Sequence, residues 1–383
     1  MHEPAHSSDL HPALRPTPRT GPVSIVLEVV PAMGQAIEVA AGIWWARLPL
    51  TAKIGHVNVY ILEGEHGWTL IDTGTRSDDC RSALRAILAS SPFDRRPLAE
   101  VLVTHHHPDH VGLAGELVTE GVSFWATRTC FLSARALQLD GRDAPTPEQL
   151  HFFRRTGLKG LAFEAYSRRP AMKYRDHVAP LPTEYRRLQD GQVLRIGIRT
   201  WRVVIGQGHA PDHATLWSDD GLALTGDQIL PQIASNLSVY PSEPDADPIH
   251  EWIASCRQFV EFADDEIVCL PGHNQPFVGA ATRCQQSIAT QESLANRLLE
   301  FLVRPRTVVE CLPTIYRREI PLPEMPALIC EAQGFLNYLS ARGSARRETS
   351  PDGTWLWLSP GRSERKSSAP VTIPLDPLRR ASS

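Results

Sequence analysis

The sequence predicts an α+β fold in which two β-sheets pack against each other beneath outer helices. Two blocks of short apolar strands are each followed by helical segments, and the polar residues that could carry chemistry directly follow strands. A sheet must bury its apolar face against another layer, so paired strand blocks with flanking helices favour two packed sheets. The individual segments, taken in chain order, support this assignment.

The first block contains three predicted strands and one helix before its last strand. The strands are expected at Ile43–Leu48, Val57–Leu62 and Trp68–Asp72. A turn around Glu63–Gly67 joins the last two, as in a hairpin. A helix through Arg81–Leu88 follows, and then the short strand Val101–Val103, which leads straight into a cluster of histidines.

The second block is also rich in strands and is separated from the first by a long insertion. Its strands are predicted within Gln192–Val204, Ala214–Trp217, Ala223–Leu224 and Ile267–Leu270. The insertion, about residues 127–187, is predicted to be helical at Phe131–Leu139 and Pro147–Thr156 and irregular beyond. Residues 151–190 contain nine Arg or Lys and four Asp or Glu, so the insertion is either a basic surface or a lid.

The C-terminal part of the chain has a different pattern. Three helices are predicted at Ser287–Leu302, Thr307–Tyr316 and Ala327–Arg342. A pair of strands follows them and ends at Thr354–Leu358. We therefore expect a domain over 23–285 and a smaller one over 286–358. Residues 1–22 and 359–383, rich in Pro with Ser, His or Arg, are predicted to be mobile tails.

Composition excludes several classes of protein. The 383 residues carry a net charge of −4, so nothing global indicates nucleic acid or membrane binding. No run approaches the roughly 18–20 apolar residues of a membrane span. The seven cysteines contain no Cys-x-x-Cys pair, and the first twenty residues lack the apolar stretch of a secretory signal. A reduced, cytoplasmic setting is expected.

One segment carries most of the chemical signal. Residues 104–110 read Thr-His-His-His-Pro-Asp-His and directly follow a strand. Imidazole is the commonest metal ligand, and divalent ions of borderline softness accept it together with carboxylate. Three later segments place a His or Asp beside glycine after an apolar strand, namely 208–213, 224–227 and 270–273. A histidine-rich turn alone could be a solvated loop, but the four segments together favour a metal centre.

The order of these motifs resembles that of the metallo-β-lactamase superfamily. The matching features are His-x-His-x-Asp-His at 105–110, a distal His209, a Gly-Asp at Asp227, a Gly-His at His273 and the family's LIDTG strand end at 70–74. The likeness spans roughly residues 40–280. It implies an αββα sandwich with a dinuclear metal site at one edge of the two sheets.

The resemblance also implies roles for individual residues. One metal would be held by His105, His107 and His209 and the other by Asp109, His110 and His273, with Asp227 bridging both. Two zinc ions are expected, with iron or manganese as alternatives. A metal-bound hydroxide would perform hydrolysis, which makes Asp109 and Asp227 the candidate catalytic carboxylates. Asp72 and His213 are expected to support the ligands through hydrogen bonds rather than to bind metal.

Within the superfamily, the sequence is similar to glyoxalase II-like and lactamase-beta-2-like hydrolases. Asp227 stands where the cysteine-bearing zinc β-lactamases have a thiolate, so antibiotic hydrolysis is not the expected role. The expected substrate is a thioester or ester of a small acid, of the acyl-CoA or glutathione type. The basic insertion would contact this anionic substrate through Tyr166, Arg168, Arg169 and Lys173.

Two other activities stay open at this point. A single-strand endoribonuclease would use the same metals on phosphodiesters, and a sulfur dioxygenase would use one iron. The block at 286–358 resembles a winged-helix-like appendage, yet it carries eight basic and eight acidic residues. Nucleic acid binding depends on excess positive charge, so a small anionic substrate is preferred over RNA. A homo-oligomer is compatible with the sequence.

Overall fold

The computed structural model of the protein describes residues 23–27 and 29–360. Apart from residues 359 and 360, the two predicted tails lie outside this part of the chain. The strands, in chain order, are β1 Ser24–Ile25, β2 Ala36–Ala40, β3 Ile43–Pro49, β4 His56–Glu63, β5 Trp68–Ile71, β6 Leu98–Leu102, β7 Ser123–Thr127, β8 Arg186–Leu188, β9 Val193–Ile196, β10 Arg199–Gly206, β11 His213–Ser218, β12 Leu222–Gly226, β13 Val268–Pro271, β14 Phe277–Val278, β15 Arg346–Thr349 and β16 Trp355–Leu358.

The α-helices of the described residues follow in the same way. They are α1 Asp78–Leu88, α2 Pro108–Val111, α3 Ala114–Leu117, α4 Arg128–Leu139, α5 Pro147–Arg155, α6 Gly160–Arg168, α7 Tyr174–His177, α8 Pro248–Val260, α9 Ala280–Phe301, α10 Val308–Tyr316 and α11 Met325–Ala341. None of them is both long and apolar enough to cross a membrane.

The first sheet has the strand order β2-β3-β4-β5-β6-β7-β8. Its strands from β2 to β5 pair antiparallel, whereas those from β5 to β8 run parallel. The β5–β6 pairing places Ile71 beside Leu102. Since parallel strands end at the same edge of a sheet, the segments that follow these two strands leave the sheet side by side.

The second sheet has the order β1-β14-β13-β12-β11-β10-β9 and is antiparallel except for one pair. That pair is β12 and β13, in which Leu224 lies opposite Leu270 and Gly226 opposite Pro271. The residues that follow these two strands therefore also leave their sheet together, as in the first sheet.

Apolar side chains from both sheets form one buried core between them. It includes Ile43, Trp45, Leu102, Trp201, Leu216 and Leu270. A second cluster packs α1 on the outer face of the first sheet, with Leu84 and Ile87 against Leu48. On the outer face of the second sheet, Trp217 stacks on Phe259 of α8 with ring centroids 5.7 Å apart. The predicted α+β fold with an αββα arrangement of layers is confirmed.

The described chain divides into two compact units. The first contains the residues up to Ala144 together with Pro170–Leu237 and His250–Ala289, and it holds both large sheets. The second contains Pro145–Arg169, Ser238–Ile249 and the residues from Thr290 onward. Part of the predicted insertion thus belongs to the second unit. The domain boundary at 285/286, and a winged-helix-like classification of 286–358, stay predictions.

Several local features differ from the sequence expectations, among them the helices between the two strand blocks and before β13. The insertion beyond Thr156, expected to be irregular, forms α6 and α7, and α8 was not predicted.

A threonine caps the first turn of each of the helices α5 and α10. Thr146 and Thr307 each accept a hydrogen bond from the third helical residue, Gln149 or Glu310, whose side chain bonds back. This reciprocal capping box satisfies free amide groups and fixes the starts of α5 and α10.

Candidate metal centre

The histidine-rich segment forms a tight turn between β6 and α2. His107 has extended backbone and lies just before Pro108, the first residue of α2. Proline is favoured there because its missing amide hydrogen would have no partner in a first helical turn. The Asp109 side chain is about three-quarters buried, and that of His110 is fully buried. The turn therefore directs several donors from one strand end into one small volume.

Asp72, which directly follows β5, holds this turn through hydrogen bonds to its first and last residues. Its carboxylate accepts hydrogen bonds from the Thr104 amide (2.7 Å), the Thr104 hydroxyl (2.8 Å) and His110 Nδ1 (2.7 Å). Its backbone has a φ of +59°, which is uncommon outside glycine and is tolerated best by Asp and Asn. The next residue, Thr73, donates its amide and hydroxyl to the His110 carbonyl.

The second sheet supplies three more donors from separate loops. His209 lies between β10 and β11, Asp227 follows β12, and His273 follows β13. The glycines beside the last two leave room for the cluster. A Cβ on Gly272 would lie 2.3 Å from Asp227 Oδ1, and one on Gly226 would lie 2.5 Å from the His213 ring.

These donors come together in overlapping groups of three. The groups are His105, His107 and His209; His105, His110 and Asp227; and Asp109, His110 and His273, each with donor atoms within 4.8 Å of one another. Asp227 lies centrally, because its Oδ2 is 3.4 Å from His110 Nε2, 3.6 Å from His209 Nε2 and 3.3 Å from His273 Nε2. His273 Nε2 is also 3.3 Å from Asp109 Oδ2.

Hydrogen bonds on the far side of three imidazoles fix their orientation. The Nδ1 atoms of His110, His209 and His273 contact Asp72 Oδ2, the Asn236 carbonyl and the His56 carbonyl at 2.7, 3.0 and 2.9 Å. Each Nδ1 must donate, so each Nε2 faces the cluster. Among the described residues, the buried His110 Nε2 and Asp227 Oδ1 have no hydrogen-bond partner. Unsatisfied buried atoms of this kind fit a cation as their missing partner.

The charges in the cluster are strongly coupled. Burial, and then neighbouring imidazoles, hold the pKa of His105 well below its usual range. Burial also opposes a charge on His110, but the carboxylates of Asp227, Asp109 and Asp72 raise its pKa well above the ordinary value. Conversely, His273 and His110 overcome burial and keep the pKa of Asp227 well below its usual range. Ionised carboxylates surrounded by imidazoles are the donor set that borderline divalent ions accept.

His213 and His106 lie at the cluster without joining a group of three donors. His213 is fully buried, and its Nε2 accepts a hydrogen bond from the Asp227 amide at 3.0 Å. Burial lowers its pKa to about 3, so the ring is neutral and can accept. His106 is buried beside His107, with ring centroids 4.9 Å apart, and its carbonyl accepts a hydrogen bond from the Tyr174 hydroxyl.

The four residues expected to contact substrate are divided between the two compact units. Tyr166, Arg168 and Arg169 belong to the second compact unit, and Lys173 belongs to the first. Tyr166 is buried, with the Arg169 guanidinium 4.1 Å from its ring centroid, while Arg168 lies 3.8 Å from Glu164. Lys173 forms an ion pair with Asp143. Their role in substrate binding stays a prediction.

The sequence analysis missed residues on β4. Asn58 and Tyr60 donate hydrogen bonds to backbone carbonyls of the segment that carries His273, and His56 contacts the same segment. A signal was present, because His, Asn and Tyr alternate with Val on an otherwise apolar strand. Thr104 was also missed as the residue that joins Asp72 to His105, whose Nδ1 lies 3.0 Å from the Thr104 hydroxyl.

Comparisons with known proteins agree with this fold. The family model described as Metallo-beta-lactamase superfamily matches residues 52–122. A crystal structure of a beta-lactamase domain protein from Burkholderia ambifaria is 33% identical, with a TM-score of 0.78, and the match covers 87% of this chain and 96% of that one. A metallo-beta-lactamase family protein from Thermus thermophilus is 24% identical, with a TM-score of 0.69 and 84% and 99% coverage.

Among curated proteins, the chain is similar to the "Probable metallo-hydrolase YqjP" of Bacillus subtilis (strain 168). The two are 24% identical over 309 residues, which cover 77% of this chain and 91% of that protein. The fold together with the cluster of His and Asp donors defines a metal-dependent hydrolase. The chain belongs to the metallo-β-lactamase superfamily.

Proposed function

We propose that the protein is a dinuclear zinc hydrolase that cleaves a thioester or ester of a small acid. The observation that carries the proposal is the central place of Asp227 Oδ2, within 3.6 Å of the Nε2 atoms of His110, His209 and His273. A single carboxylate that touches donors of two separate groups is the arrangement expected of a bridge between two ions.

The residues present fit this assignment. His105, His107 and His209 would hold one ion, Asp109, His110 and His273 the other, and Asp227 both. Imidazole with carboxylate suits zinc, and iron or manganese would accept the same donors. Such ions lower the pKa of water to about 7 and polarise a carbonyl, so they supply the nucleophile and stabilise developing negative charge when bound.

The remaining residues of the cluster then have defined tasks. Asp72 fixes the Nδ1–H tautomer of His110 and the orientation of its ring, because its carboxylate accepts the proton on Nδ1. His213 Nε2 accepts a hydrogen bond from the backbone amide of Asp227, and this bond helps to fix the position of the Asp227 carboxylate. Asp109 is the most exposed of the donor carboxylates, with about a quarter of its side chain accessible, so it can accept a proton from a reacting group.

Four features support the substrate class, the setting and the type of reaction. Asp227 occupies the position at which a thiolate would indicate a β-lactamase of the cysteine type, and the basic segment 151–190 offers partners for an anionic acyl or thiol group. All seven cysteines are free, which supports a reduced, cytoplasmic environment. The hydrolase class of the Bacillus subtilis relative agrees with hydrolysis.

Thiol release from a panel of acyl-CoA and glutathione thioesters tests this proposal. Zinc-reconstituted protein should release thiol from at least one member, and Asp227→Ala should not. Neutral esters of the same acids show whether the anionic group is recognised. Turnover of none of these substrates by zinc-loaded protein would contradict the thioester assignment and favour single-stranded RNA as the next substrate to test.

A further inference from the structure

We propose that three alternate residues of β4, His56, Asn58 and Tyr60, position His273 and thereby build one of the two metal sites. We call these three residues the β4 clasp. Alternate residues of a strand point to the same face of the sheet. All three are buried, and all three reach the end of β13 in the opposite sheet or the loop that follows it. Nothing in the ligand set requires polar side chains on this strand.

Asn58 and Tyr60 bind the backbone on both sides of His273. Asn58 Nδ2 donates to the carbonyls of Pro271 and Asn274, both at 2.8 Å. The backbone amide of Asn58 donates to the Gly272 carbonyl at 2.7 Å, and the Tyr60 hydroxyl donates to the Pro271 carbonyl at 2.9 Å. Hydrogen bonds from two residues of β4 therefore hold the loop segment 271–274 on either side of its histidine.

His56 completes the clasp from the start of the strand. Its carbonyl accepts the Nδ1 proton of His273 at 2.9 Å, and its Nε2 accepts the amide of Asn274 at 3.0 Å. The ring itself is held by the Ile54 carbonyl, 2.9 Å from Nδ1, and by Arg47 Nη2, 2.6 Å from Nε2. Backbone and side chain of one residue thus contact both His273 and its neighbour.

The loop has an uncommon backbone conformation beside its histidine. Asn274 has a φ of +66°, in the left-handed region that few residues other than glycine adopt and that asparagine and aspartate tolerate best. The clasp bonds both the amide and the carbonyl of this residue. Held in this way, His273 directs Nε2 to within 3.3 Å of Asp109 Oδ2 and of Asp227 Oδ2.

The clasp acts on one side of the cluster only. Its three members make no hydrogen bond with His105, His107 or His209 among the described contacts, whereas they reach His273 and its loop directly. The geometry therefore predicts an asymmetric effect. Loosening the clasp should lower the affinity for the ion held by Asp109, His110 and His273 and leave the affinity for the other ion unchanged.

This inference rests on the proposed dinuclear site, so the experiment first counts metal on the wild-type protein. Metal-free full-length protein is titrated with Zn²⁺ in competition with a chromophoric chelator. Two equivalents in the wild type support the proposed function. Fewer than two would overturn the dinuclear proposal, whatever the variants do.

Asn58→Leu removes two side-chain N–H donors and keeps the number and branching of the side-chain heavy atoms, and Tyr60→Phe removes one hydroxyl. For Asn58→Leu we expect one of the two Zn²⁺ affinities to fall about 10–100-fold, which is typical of residues that orient a metal ligand. Tyr60→Phe should shift the same affinity by less, because Asn58 still bonds the Pro271 carbonyl. Thr215→Val is the matched control. It also removes a buried hydrogen-bond donor, because the Thr215 hydroxyl donates to the backbone carbonyl of Val204.

A double-mutant cycle with His273→Ala separates positioning from general loosening. If the clasp acts through His273, Asn58→Leu should not lower Zn²⁺ affinity further once His273 is absent. Equal losses with and without His273, equal losses at both sites, or the same loss in Thr215→Val would each overturn the inference. So would two unchanged affinities in Asn58→Leu. Thermal unfolding of the metal-free variants shows that each one is folded.

Discussion

The two sheets supply their donors in different ways. In the first sheet, four donors lie within the six residues 105–110, and one neighbouring segment, 72–74, holds them through side-chain and backbone hydrogen bonds. In the second sheet, His209, Asp227 and His273 lie on three loops that are far apart in the sequence. Their approach depends on strand pairing, since only the parallel register of β12 and β13 brings the last two together.

The difference shows which part of a metal centre is local. A turn that carries its own donors needs little more than correct backbone geometry and one buried carboxylate. Donors on separate loops need an entire sheet, small residues at close contacts and supports such as the β4 clasp. We therefore expect changes in the second sheet to affect metal binding through a wider set of residues than changes in the first.

The largest effect is expected for Asp227→Ala, because the Asp227 carboxylate lies within 3.6 Å of His110 from the first sheet and of His209 and His273 from the second. The variant should lose most bound Zn²⁺ and nearly all hydrolysis, as judged by metal analysis and thiol release. Asp190→Ala, which removes an exposed carboxylate that accepts the Ile205 amide of the second sheet, is the control and should keep both. Full metal content in Asp227→Ala would contradict the bridging role.

Gly272→Ala should have the next largest effect and tests the spacing of the second-sheet loops. The added methyl group would lie 2.3 Å from Asp227 Oδ1 and 2.8 Å from His110 Cε1, so one of them must move. We expect a clear loss of Zn²⁺ affinity in a chelator competition, with the fold retained. Gly141→Ala is a suitable comparison, because its methyl group meets only the mobile end of the Arg175 side chain. A Zn²⁺ affinity equal to that of the wild type in Gly272→Ala would show that Asp227 and His110 can move apart from this loop without loss of metal binding.

Asp72→Asn tests the support of the first-sheet turn. An amide would place a donor against the Thr104 or His110 donors, so His110 should lose its fixed orientation. We expect Zn²⁺ affinity to fall about 10–100-fold. Glu100→Gln changes a carboxylate of the same sheet that accepts bonds from Thr69 and Trp125, and it should bind Zn²⁺ normally. An equal fall in both variants would point to loss of stability rather than of orientation.

The smallest effect is expected outside both sheets, at Lys173. Lys173→Gln should raise KM for anionic thioesters by no more than about fivefold, since partly exposed ion pairs contribute roughly 0–1 kcal/mol. Neutral esters should be hydrolysed as by the wild type. Lys159→Gln breaks a similar exposed pair with Asp352 and serves as the reference. An unchanged KM for anionic substrates would make Lys173 an ordinary surface residue.

Much of the fold was visible in the sequence because it depends on local patterns. The strands β3, β4, β5 and β11 were predicted close to their ends, and so were α1, α10 and α11, whereas one predicted stretch, Gln192–Val204, spans both β9 and β10. The short strands β1, β2, β7, β8 and β14 were not predicted, since segments of two to five residues carry little pattern of their own. The helices α6 and α7 were also missed, because they are only nine and four residues long and Pro170 lies between them.

Apolar periodicity and a contiguous histidine turn are encoded residue by residue, so the fold class and the donor-bearing segments could be predicted from the sequence. The folded chain is needed to show that Asp227 lies centrally, that Asp72 and His213 bond to cluster residues, and that His56, Asn58 and Tyr60 hold the loop of His273. Those contacts join residues up to about two hundred positions apart. They depend on strand register, and register is fixed by the packing of both sheets around their shared core.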